Sequence, residues 1–106
     1  MVKRGDIWLV ALDPTVGSEI QKTRPCLIVS PPELHDNLKL ALVTPMTTGS
    51  YPMPFHVPIE FGGKRGLLVL EHTRAIDKRR LIRRLGTAPR LDVEEALARL
   101  RDFFVL

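Results

Sequence analysis

Short apolar runs separated by turn-forming residues mark most of the chain. The runs at 5–12, 26–29 and 38–43 have no helical period, so each predicts a strand. At 55–60, apolar and polar residues alternate with the period of two that is typical of a half-buried strand. This alternation puts His56 on the polar face, where we expect it to be solvated.

Glycine and hydroxyl residues separate the later elements. The Gly-Gly-Lys-Arg-Gly segment at 62–66 predicts a hairpin turn. Residues 44–54 are a predicted loop with Thr47, Thr48, Gly49 and Ser50 at its centre. A strand is predicted at 67–70, continuing through 71–74, and a last strand at 82–88. Single helical turns are predicted at 34–37 and 77–81.

The C-terminal segment has the period of a helix. Asp92 followed by Glu95 is the pattern of a capping box, so we expect Asp92 to cap the helix. The predicted apolar face consists of Val93, Leu97, Leu100 and Phe104, with Ala96 and Phe103 beside it. The residues predicted to face away are Glu94, Arg99 and Asp102.

Together these elements predict a mainly β (α+β) protein. Five or six short strands would form a strongly bent, partly closed antiparallel barrel, with the terminal helix over one open side. Several strands are apolar on both faces, which predicts a second covered face and therefore a dimer. At 106 residues, residues 1–106 are expected to form one domain, with no room for a separate cofactor-binding domain.

Apolar runs and cysteine usage bear on localisation. The longest uninterrupted apolar run, at 7–12, is far shorter than the roughly 20 residues that cross a bilayer. The N-terminus lacks the apolar centre of a signal peptide. The single cysteine, Cys26, cannot form an internal disulfide, and its apolar neighbours predict a buried, inert thiol. We therefore expect a cytoplasmic protein with no membrane partner.

Positive charge is concentrated in one part of the chain. The formal net charge is +4, which suits a polyanionic partner without requiring one. Residues 64–90 contain nine Lys or Arg, opposed only by Glu71 and Asp77. This segment is either an ordinary solvated face or a surface that holds a polyanion.

Two polar loops carry the remaining candidate chemistry. No His, Cys and carboxylate cluster has the spacing of a metal site, and the turn at 62–66 lacks the spacing of a phosphate-binding loop. No metal or other cofactor is therefore expected. Arg24 precedes Pro25, which favours an extended backbone at the edge of an apolar strand. The hydroxyls at 44–50 are able to donate to a phosphate, although many turns have a similar composition.

Segments throughout the chain resemble the MazF/PemK/Kid toxin family. The N-terminal signature is Arg-Gly-Asp-Ile-Trp at 4–8, Asp-Pro-Thr-Val-Gly-Ser-Glu at 13–19 and Thr-Arg-Pro at 23–25. Later segments that resemble the family are Val-Thr-Pro-Met-Thr-Thr at 43–48, Tyr-Pro-Met-Pro-Phe-His-Val at 51–57 and Arg-Ala-Ile-Asp at 74–77. Their shared order and spacing make the resemblance far more specific than one short motif.

The resemblance implies an SH3-like antiparallel barrel of five to seven short strands with a C-terminal helix, similar to the CcdB and MazF folds. It also implies a homodimeric toxin of a type II toxin–antitoxin module, inhibited by a cognate antitoxin. Such a toxin is an endoribonuclease that cleaves single-stranded RNA at specific sequences without a metal ion. Its expected products carry 2′,3′-cyclic phosphate and 5′-OH ends.

The resemblance extends to site residues. Arg24 matches the family's catalytic arginine and would stabilise the phosphorane. Thr47 matches the loop threonine, whose hydroxyl would bind the scissile phosphate. The remaining residues expected to bind RNA are Ser18, Gln21, Lys22, Thr48, Ser50, Arg74 and Lys78.

The general base is left open between two carboxylates, Glu19 and Glu71. Glu19 matches the glutamate of the family's first loop. Glu71 lies where PemK and Kid members place an aspartate thought to act as base. Their full acid–base arrangement is not present, because Val69 and Ser18 replace its arginine and its histidine.

Two other functions are kept as alternatives. A CcdB-like toxin that poisons gyrase ends in a Trp-Gly-Ile tail, whereas this chain ends in Phe-Phe-Val-Leu after an amphipathic segment. A non-catalytic SH3-like module that binds RNA or protein would use an aromatic-lined groove for peptides. Aromatic residues make up only 6% of this chain, which argues against that alternative.

Overall fold

A single antiparallel sheet forms most of the molecule. The computed structural model describes residues 1–106. Its strands are β1 (Asp6–Ala11), β2 (Thr23–Ile28), β3 (Leu40–Thr47), β4 (His56–Phe61), β5 (Lys64–Val69), β6 (Arg74–Asp77) and β7 (Leu81–Thr87). The helices are α1 (Pro32–His35) and α2 (Arg90–Asp102), and 3₁₀ turns occupy Leu70–His72 and Lys78–Arg80.

The sheet curls into a partly closed barrel. Its strand order is β4-β5-β3-β2-β1-β7, and β6 pairs with the first half of β3. The first and last strands of this order approach each other where Phe61 of β4 lies against Gly86 of β7. A Cβ atom on Gly86 would lie only 2.9 Å from the Phe61 ring. The predicted mainly β barrel with a C-terminal helix is therefore confirmed.

The alternation of side chains along the strands builds two apolar clusters. On β2, Leu27 faces the cluster that lies under α2, while Cys26 and Ile28 face the second cluster. Residues of the chain itself, including Trp8 and Ile20, pack over the second cluster. The apolar strands thus have both faces covered within one chain, so they do not by themselves require a dimer.

Several strand boundaries differ from the sequence prediction: β2 begins at Thr23 rather than at 26, and β5 begins at Lys64 rather than at 67. The β3 strand continues through Thr47 rather than ending at 43, because β2 pairs with it at Thr44 and β5 pairs with it at Met46. The predicted continuous strand at 67–74 is wrong. A 3₁₀ turn at Leu70–His72 interrupts it, and the chain then joins a different part of β3 as β6.

The hairpin turn and the short helical segments are confirmed, with small shifts. Phe61 pairs with Lys64, so the β4–β5 turn consists of two residues only. These are Gly62 and Gly63, whose φ angles of +61° and +75° suit the tight hairpin turns that favour glycine. The helical turns predicted at 34–37 and 77–81 correspond to α1 and to the 3₁₀ turn at Lys78–Arg80.

The terminal helix α2 begins earlier than predicted, and the capping box is wrong. Pro89 is the N-cap residue and no side chain caps the helix, so Asp92 lies inside the first turn. Glu95 instead forms an ion pair with Arg99 at 2.7 Å. Arg99 does not face away from the protein either, because its Nη1 donates to the carbonyl oxygen of His56 at 3.0 Å.

The predicted apolar face of α2 is largely confirmed. Val93, Leu97 and Leu100 pack against the first cluster, and Ala96 is fully buried within it. Phe104 lies beyond the end of the helix and is 81% exposed, so it is not part of that buried face. No helix in the protein has the length and hydropathy needed to cross a membrane.

Candidate active site

A polar cleft lies where the β1–β2 loop, the end of β3 and the 3₁₀ turn after β5 meet. It consists of two adjoining cavities, of about 200 and 300 Å³, which share Ile20, Glu71 and His72. We call these two cavities together the cleft. The smaller cavity is also lined by Ser18, Glu19 and Arg74, and the larger one by Thr47, Ser50, Tyr51 and His56.

Hydrogen bonds hold the β1–β2 loop beside the cleft. Arg74 Nη1 donates to the carbonyl oxygen of Leu12 at 3.2 Å, and Arg80 Nη1 donates to that of Asp13. The carboxylate of Asp13 accepts from the backbone N–H of Lys22 at 2.9 Å, which closes the base of the loop. Lys22 adopts a φ of +69° there. The loop is thus fixed by the side chains of β6 and the following 3₁₀ turn.

Glu19 and His72 take part in this loop structure. The Oε1 atom of Glu19 accepts from the backbone N–H of Val16 at 2.6 Å, which fixes the carboxylate within its own turn. The Nδ1 atom of His72 accepts from the backbone N–H of Ile20 at 3.4 Å. Since Nδ1 is the acceptor, a neutral His72 carries its proton on Nε2.

His56 and Glu71 form a close pair at the wall of the larger cavity. His56 Nε2 lies 2.8 Å from Glu71 Oε2, and His56 Nδ1 lies 2.7 Å from the carbonyl oxygen of Tyr51. The prediction that His56 is solvated is wrong: the residue is 4% exposed. It does lie on the less apolar face of β4, where Pro58 and Glu60 are exposed, but the 50–55 segment and Glu71 cover His56 itself.

The surroundings of His56 favour its charged form. Burial lowers the pKa of His56, because it penalises the imidazolium. The hydrogen bond to the Tyr51 carbonyl, together with the hydrogen bond and negative charge of Glu71, outweighs burial. The pKa of His56 is therefore raised above the ordinary value for histidine.

Thr47 and Arg24 lie at the ends of neighbouring strands. The pairing of β2 with β3 begins at Cys26 and Pro45, so Arg24 and Thr47 each lie two residues beyond the same end of that pairing. Thr47 Oγ1 accepts from the backbone N–H of Gly49 at 3.1 Å, so its hydroxyl proton is free to donate elsewhere. The Arg24 guanidinium has one long hydrogen bond, to the carbonyl oxygen of Gln21 at 3.4 Å.

The cleft brings together about half of the predicted site residues. Its lining includes Ser18, Glu19, Thr47, Ser50, Glu71 and Arg74. The predicted residues that do not line either cavity are Gln21, Lys22, Arg24, Thr48 and Lys78. Lys78 follows β6 at the end opposite Arg74, and its Nζ donates to the carbonyl oxygen of His35.

Most cations of the basic segment at 64–90 have partners within the protein. Arg74, Lys78 and Arg80 donate to backbone carbonyl oxygens. Arg84 pairs with the buried Asp6 at 3.2 Å. The other ion pairs of this segment are Arg65–Glu60, Arg79–Asp77 and Arg90–Glu94. Much of the local positive charge therefore has a structural role.

The Cys26 thiol and the predicted absence of a metal site concern chemistry outside the cleft. The thiol of Cys26 is fully buried, as predicted, and burial raises its pKa to about 12 against the opposing effect of Arg74. No group of three or more His, Cys, Asp and Glu side chains converges as a metal site would require.

Sequence patterns missed the two histidines of the cleft. The β4–β5 hairpin separates His56 from His72 in the chain, and the two come to line one cavity only when β5 pairs with β3 and β4. The adjacent Glu71 was the one useful signal, because an acidic residue beside His72 breaks an otherwise apolar run.

Comparisons with known proteins identify similar sequences and similar folds. Residues 3–104 match the family model described as PemK-like, MazF-like toxin of type II toxin-antitoxin system. The endoribonuclease PemK of Escherichia coli is 40% identical over 105 residues, covering 93% of this chain and 79% of that protein.

Two solved structures are also similar. The crystal structure of MazF from Deinococcus radiodurans superposes with a TM-score of 0.86 at 26% identity, covering 96% of this chain and 94% of that one. An endoribonuclease in complex with its cognate antitoxin, from a mycobacterial species, has a TM-score of 0.77 at 18% identity and covers both chains fully. The match across the whole chain, together with its barrel and its cleft, shows that this protein belongs to the family of PemK-like, MazF-like toxins of type II toxin–antitoxin systems.

Proposed function

We propose that this toxin is a metal-independent endoribonuclease that cuts single-stranded RNA at specific sequences. The observation that carries the proposal is the larger cavity of the cleft, which Glu71 and Thr47 line together. A carboxylate and a hydroxyl donor that line one cavity are the two groups needed beside a phosphodiester, one to accept a proton and one to bind a phosphate oxygen.

The reaction uses the RNA's own 2′-OH as the nucleophile. The 2′-oxygen gives its proton to a carboxylate and forms a bond to phosphorus, while the bond between phosphorus and the 5′-oxygen breaks. The departing 5′-oxygen takes a proton from water. The products are a 2′,3′-cyclic phosphate and a 5′-OH end, so no metal ion and no other cofactor is required.

Glu71 is the better placed of the two candidate bases. Each carboxylate has one oxygen engaged within the protein, Glu19 Oε1 by the N–H of Val16 and Glu71 Oε2 by His56. Glu71 lines both cavities and shares the larger one with Thr47, whereas Glu19 lines only the smaller cavity. Glu71 uses only Oε2 in its contact with His56, and its side chain is 38% exposed to the cleft. Its Oε1 atom has no hydrogen bond within the protein, so it is free to accept the proton of a 2′-OH.

Arg24 and Thr47 are proposed to bind the scissile phosphate. Thr47 lines the cavity directly, and its hydroxyl would donate to a non-bridging oxygen. Arg24 forms no ion pair, and its single hydrogen bond is long, so its guanidinium is available to stabilise the charge of the phosphorane. An arginine remains protonated at neutral pH, which suits this role better than proton donation.

The geometry of the reaction favours single strands. The 2′-oxygen must line up with the departing 5′-oxygen, and an A-form duplex resists that alignment while it hides the base edges. Ser18, Ser50 and Arg74 line the cleft around Glu71 and are proposed to contact the RNA. Gln21, Lys22, Thr48 and Lys78 are proposed to contact it further out. An RNA substrate of this kind would be met in the cytoplasm.

The deciding experiment incubates the protein with a long single-stranded RNA in EDTA and maps the new 5′ ends. We expect discrete cuts by the wild type, and a loss of about 100-fold or more in Arg24→Ala and Thr47→Ala. Arg90→Ala is the matched control, because Arg90 is exposed and pairs only with Glu94. Intact RNA after incubation with the folded wild type would contradict the proposal.

An apolar groove next to the cleft is the proposed site of protein partners. It has a volume of about 510 Å³ and lies between α2 and the sheet, where Leu42, Leu97 and Phe104 line it together with Glu71. We propose that the protein forms a homodimer, and that a cognate antitoxin binds in this groove and thereby covers Glu71. Light scattering of the wild type and of Phe104→Ser tests the first part: both species as monomers at micromolar concentration would contradict it.

The alternative functions have no support in these findings. The family model and the relatives named above do not point to a gyrase inhibitor or to a non-catalytic binding module. The cleft also contains several ionisable groups, whereas a peptide groove of the SH3 type is lined with aromatic residues.

A further inference from the structure

The imidazole of His56 is held between hydrogen-bond acceptors on both sides. The carbonyl oxygen of Tyr51 lies 2.7 Å from Nδ1, and the hydroxyl oxygen of Ser50 lies 3.2 Å from the same nitrogen. A carbonyl oxygen only accepts, so Nδ1 must carry a hydrogen and donate it to Tyr51.

This assignment leaves Nε2 facing a second acceptor. In a neutral ring with its hydrogen on Nδ1, Nε2 has only a lone pair, and Glu71 Oε2 lies 2.8 Å from it. Two lone pairs at that distance repel each other, whereas a proton between them gives a short, charge-assisted hydrogen bond. The His56–Glu71 pair therefore holds one proton more than a neutral histidine beside an ionised glutamate.

The exposure of the two partners differs. The His56 side chain is 3% exposed, and the Glu71 side chain is 38% exposed. The imidazole is thus buried behind the Glu71 carboxyl group, and the carboxyl group opens onto the cleft. Because the ring cannot move without breaking its hydrogen bond to the Tyr51 carbonyl oxygen, it provides a fixed anchor for the more exposed Glu71.

The other charged and titratable groups around His56 are few. From α2, Arg99 donates to the carbonyl oxygens of His56 and Pro54, and Glu95 pairs with this guanidinium at 2.7 Å. His72 lies beside Glu71 in the chain and lines the same cavity. The Tyr51 ring meets the imidazole edge-on, with the ring centroids 6.3 Å apart. Among these, Glu71 is the one carboxylate bonded to the imidazole.

Resting on the proposed ribonuclease function, we propose that His56 is a positioning residue for cleavage: its protonated ring fixes Oε2 of Glu71 and leaves Oε1 to take the proton from the 2′-OH. No bond to His56 forms or breaks in the reaction. The proton that it shares with Glu71 stays on Nε2 while Oε1 receives the proton of the nucleophile.

The pair gives this role a characteristic pH dependence. While His56 is protonated, Glu71 is held in place as a carboxylate. When the pH rises through the raised pKa of His56, the shared proton is lost and the lone pair on Nε2 repels Oε2. Glu71 then turns away into solvent, so the rate of cleavage falls at alkaline pH, although simple base catalysis would keep it constant or increase it.

The test compares single-turnover cleavage of one short single-stranded RNA by the wild type and His56→Gln across a range of pH. Glutamine can still donate to Glu71 but does not titrate. We expect a rate about 10- to 100-fold lower at neutral pH with little change in KM, and no alkaline decline. His35→Gln is the matched control, because it removes a different buried histidine outside the cleft; we expect it to keep the alkaline decline.

A second measurement tests the shared proton in the protein itself. We expect ¹⁵N NMR of the imidazoles to show both nitrogens of His56 protonated at neutral pH in the wild type. In Glu71→Gln, the titration of His56 should move to lower pH. An unchanged alkaline decline in His56→Gln, or a neutral His56 in the wild type, would overturn the proposal.

The two proposals can fail separately. A wild type that cleaves RNA while His56→Gln keeps the same pH profile rules out the positioning role alone. A folded wild type that cleaves no RNA at any pH rules out the ribonuclease function and with it this role, and the NMR titration then still decides whether the pair holds the extra proton.

Discussion

The Nε2 atom of His56, at the start of β4, lies 2.8 Å from the Oε2 atom of Glu71, in the 3₁₀ turn after β5. Pairing between β4 and β5 sets this distance, because His56 pairs with Val69, two residues before Glu71. The hairpin thus delivers both partners of the pair to the same side of the cleft. We therefore expect both the free energy of unfolding and the rate of RNA cleavage to depend on pH through this contact.

The first prediction concerns the stability that the pair provides. The pKa of His56 is raised in the folded protein. The stabilisation is therefore fully present below the unfolded value of about 6.5 and is lost as the pH rises through the folded value. Urea unfolding of the wild type and His56→Gln should show a difference of about 1–2 kcal/mol at pH 5.5 that shrinks by pH 9. A difference that grows with pH would contradict this.

The second prediction separates the two candidate bases. Glu71→Gln should lower the rate of RNA cleavage about 100- to 10,000-fold, because it removes the proton acceptor. Glu19→Gln should lower it less than about tenfold, since the amide oxygen still accepts from the Val16 N–H. Single-turnover kinetics at saturating RNA measure both effects, and the reverse order of effects would identify Glu19 as the base.

The third prediction uses a glycine behind Thr47. A Cβ atom at Gly66 would lie 2.9 Å from the carbonyl oxygen of Thr47 and 3.3 Å from Met46 Cγ. Gly66→Ala should therefore destabilise the protein by about 1–3 kcal/mol. It should also slow cleavage by the folded fraction at least about tenfold, because it displaces the backbone of Thr47.

Gly86→Ala is the matched control for this change. Its Cβ would meet the Phe61 ring at 2.9 Å, so a similar loss of stability is expected. The contact closes the barrel between β4 and β7 and does not line the cleft, so the cleavage rate of the folded fraction should be kept. Equal losses of cleavage rate in the two variants would show that the slower cleavage by Gly66→Ala does not come from a displaced Thr47.

The fourth prediction concerns Cys26. Its pKa of about 12 leaves roughly one thiol in 10,000 ionised at pH 8. Because the residue is also fully buried, iodoacetamide should leave the native protein unmodified for hours and alkylate it rapidly in denaturant. Mass spectrometry measures the added group, and rapid modification of the native protein would show that β2 opens more readily than the fold implies.

Local patterns predicted the strands because each strand buries its own side chains. The alternation at 55–60 correctly placed Val57 and Ile59 in the apolar interior. It gave the wrong environment for His56, since the preceding 50–55 segment folds back over this residue and Glu71, 15 residues further along the chain, covers it as well. The contact between distant segments, rather than the pattern of one strand, decides its burial.

The errors at the helix and in the cleft have similar causes. Asp92 has the spacing of a capping residue, but Pro89 precedes it and already starts a helix. The motif residues of the two loops were identifiable because each loop carries its signature locally. The arrangement of these residues in space could not be identified from the sequence, because it is the register of β3 with β2 and β5 that brings Thr47 and Glu71 to one cavity.

Replacement of the 2′-OH by hydrogen at the cut site tests the central claim most directly. A short single-stranded RNA that contains the mapped cut site is compared, in EDTA, with the same strand carrying one 2′-deoxy nucleotide on the 5′ side of the scissile phosphate. We predict that the all-RNA strand yields a 2′,3′-cyclic phosphate and a 5′-OH end by mass spectrometry, and that the substituted strand stays intact. Cleavage of the substituted strand at the same position would contradict the account.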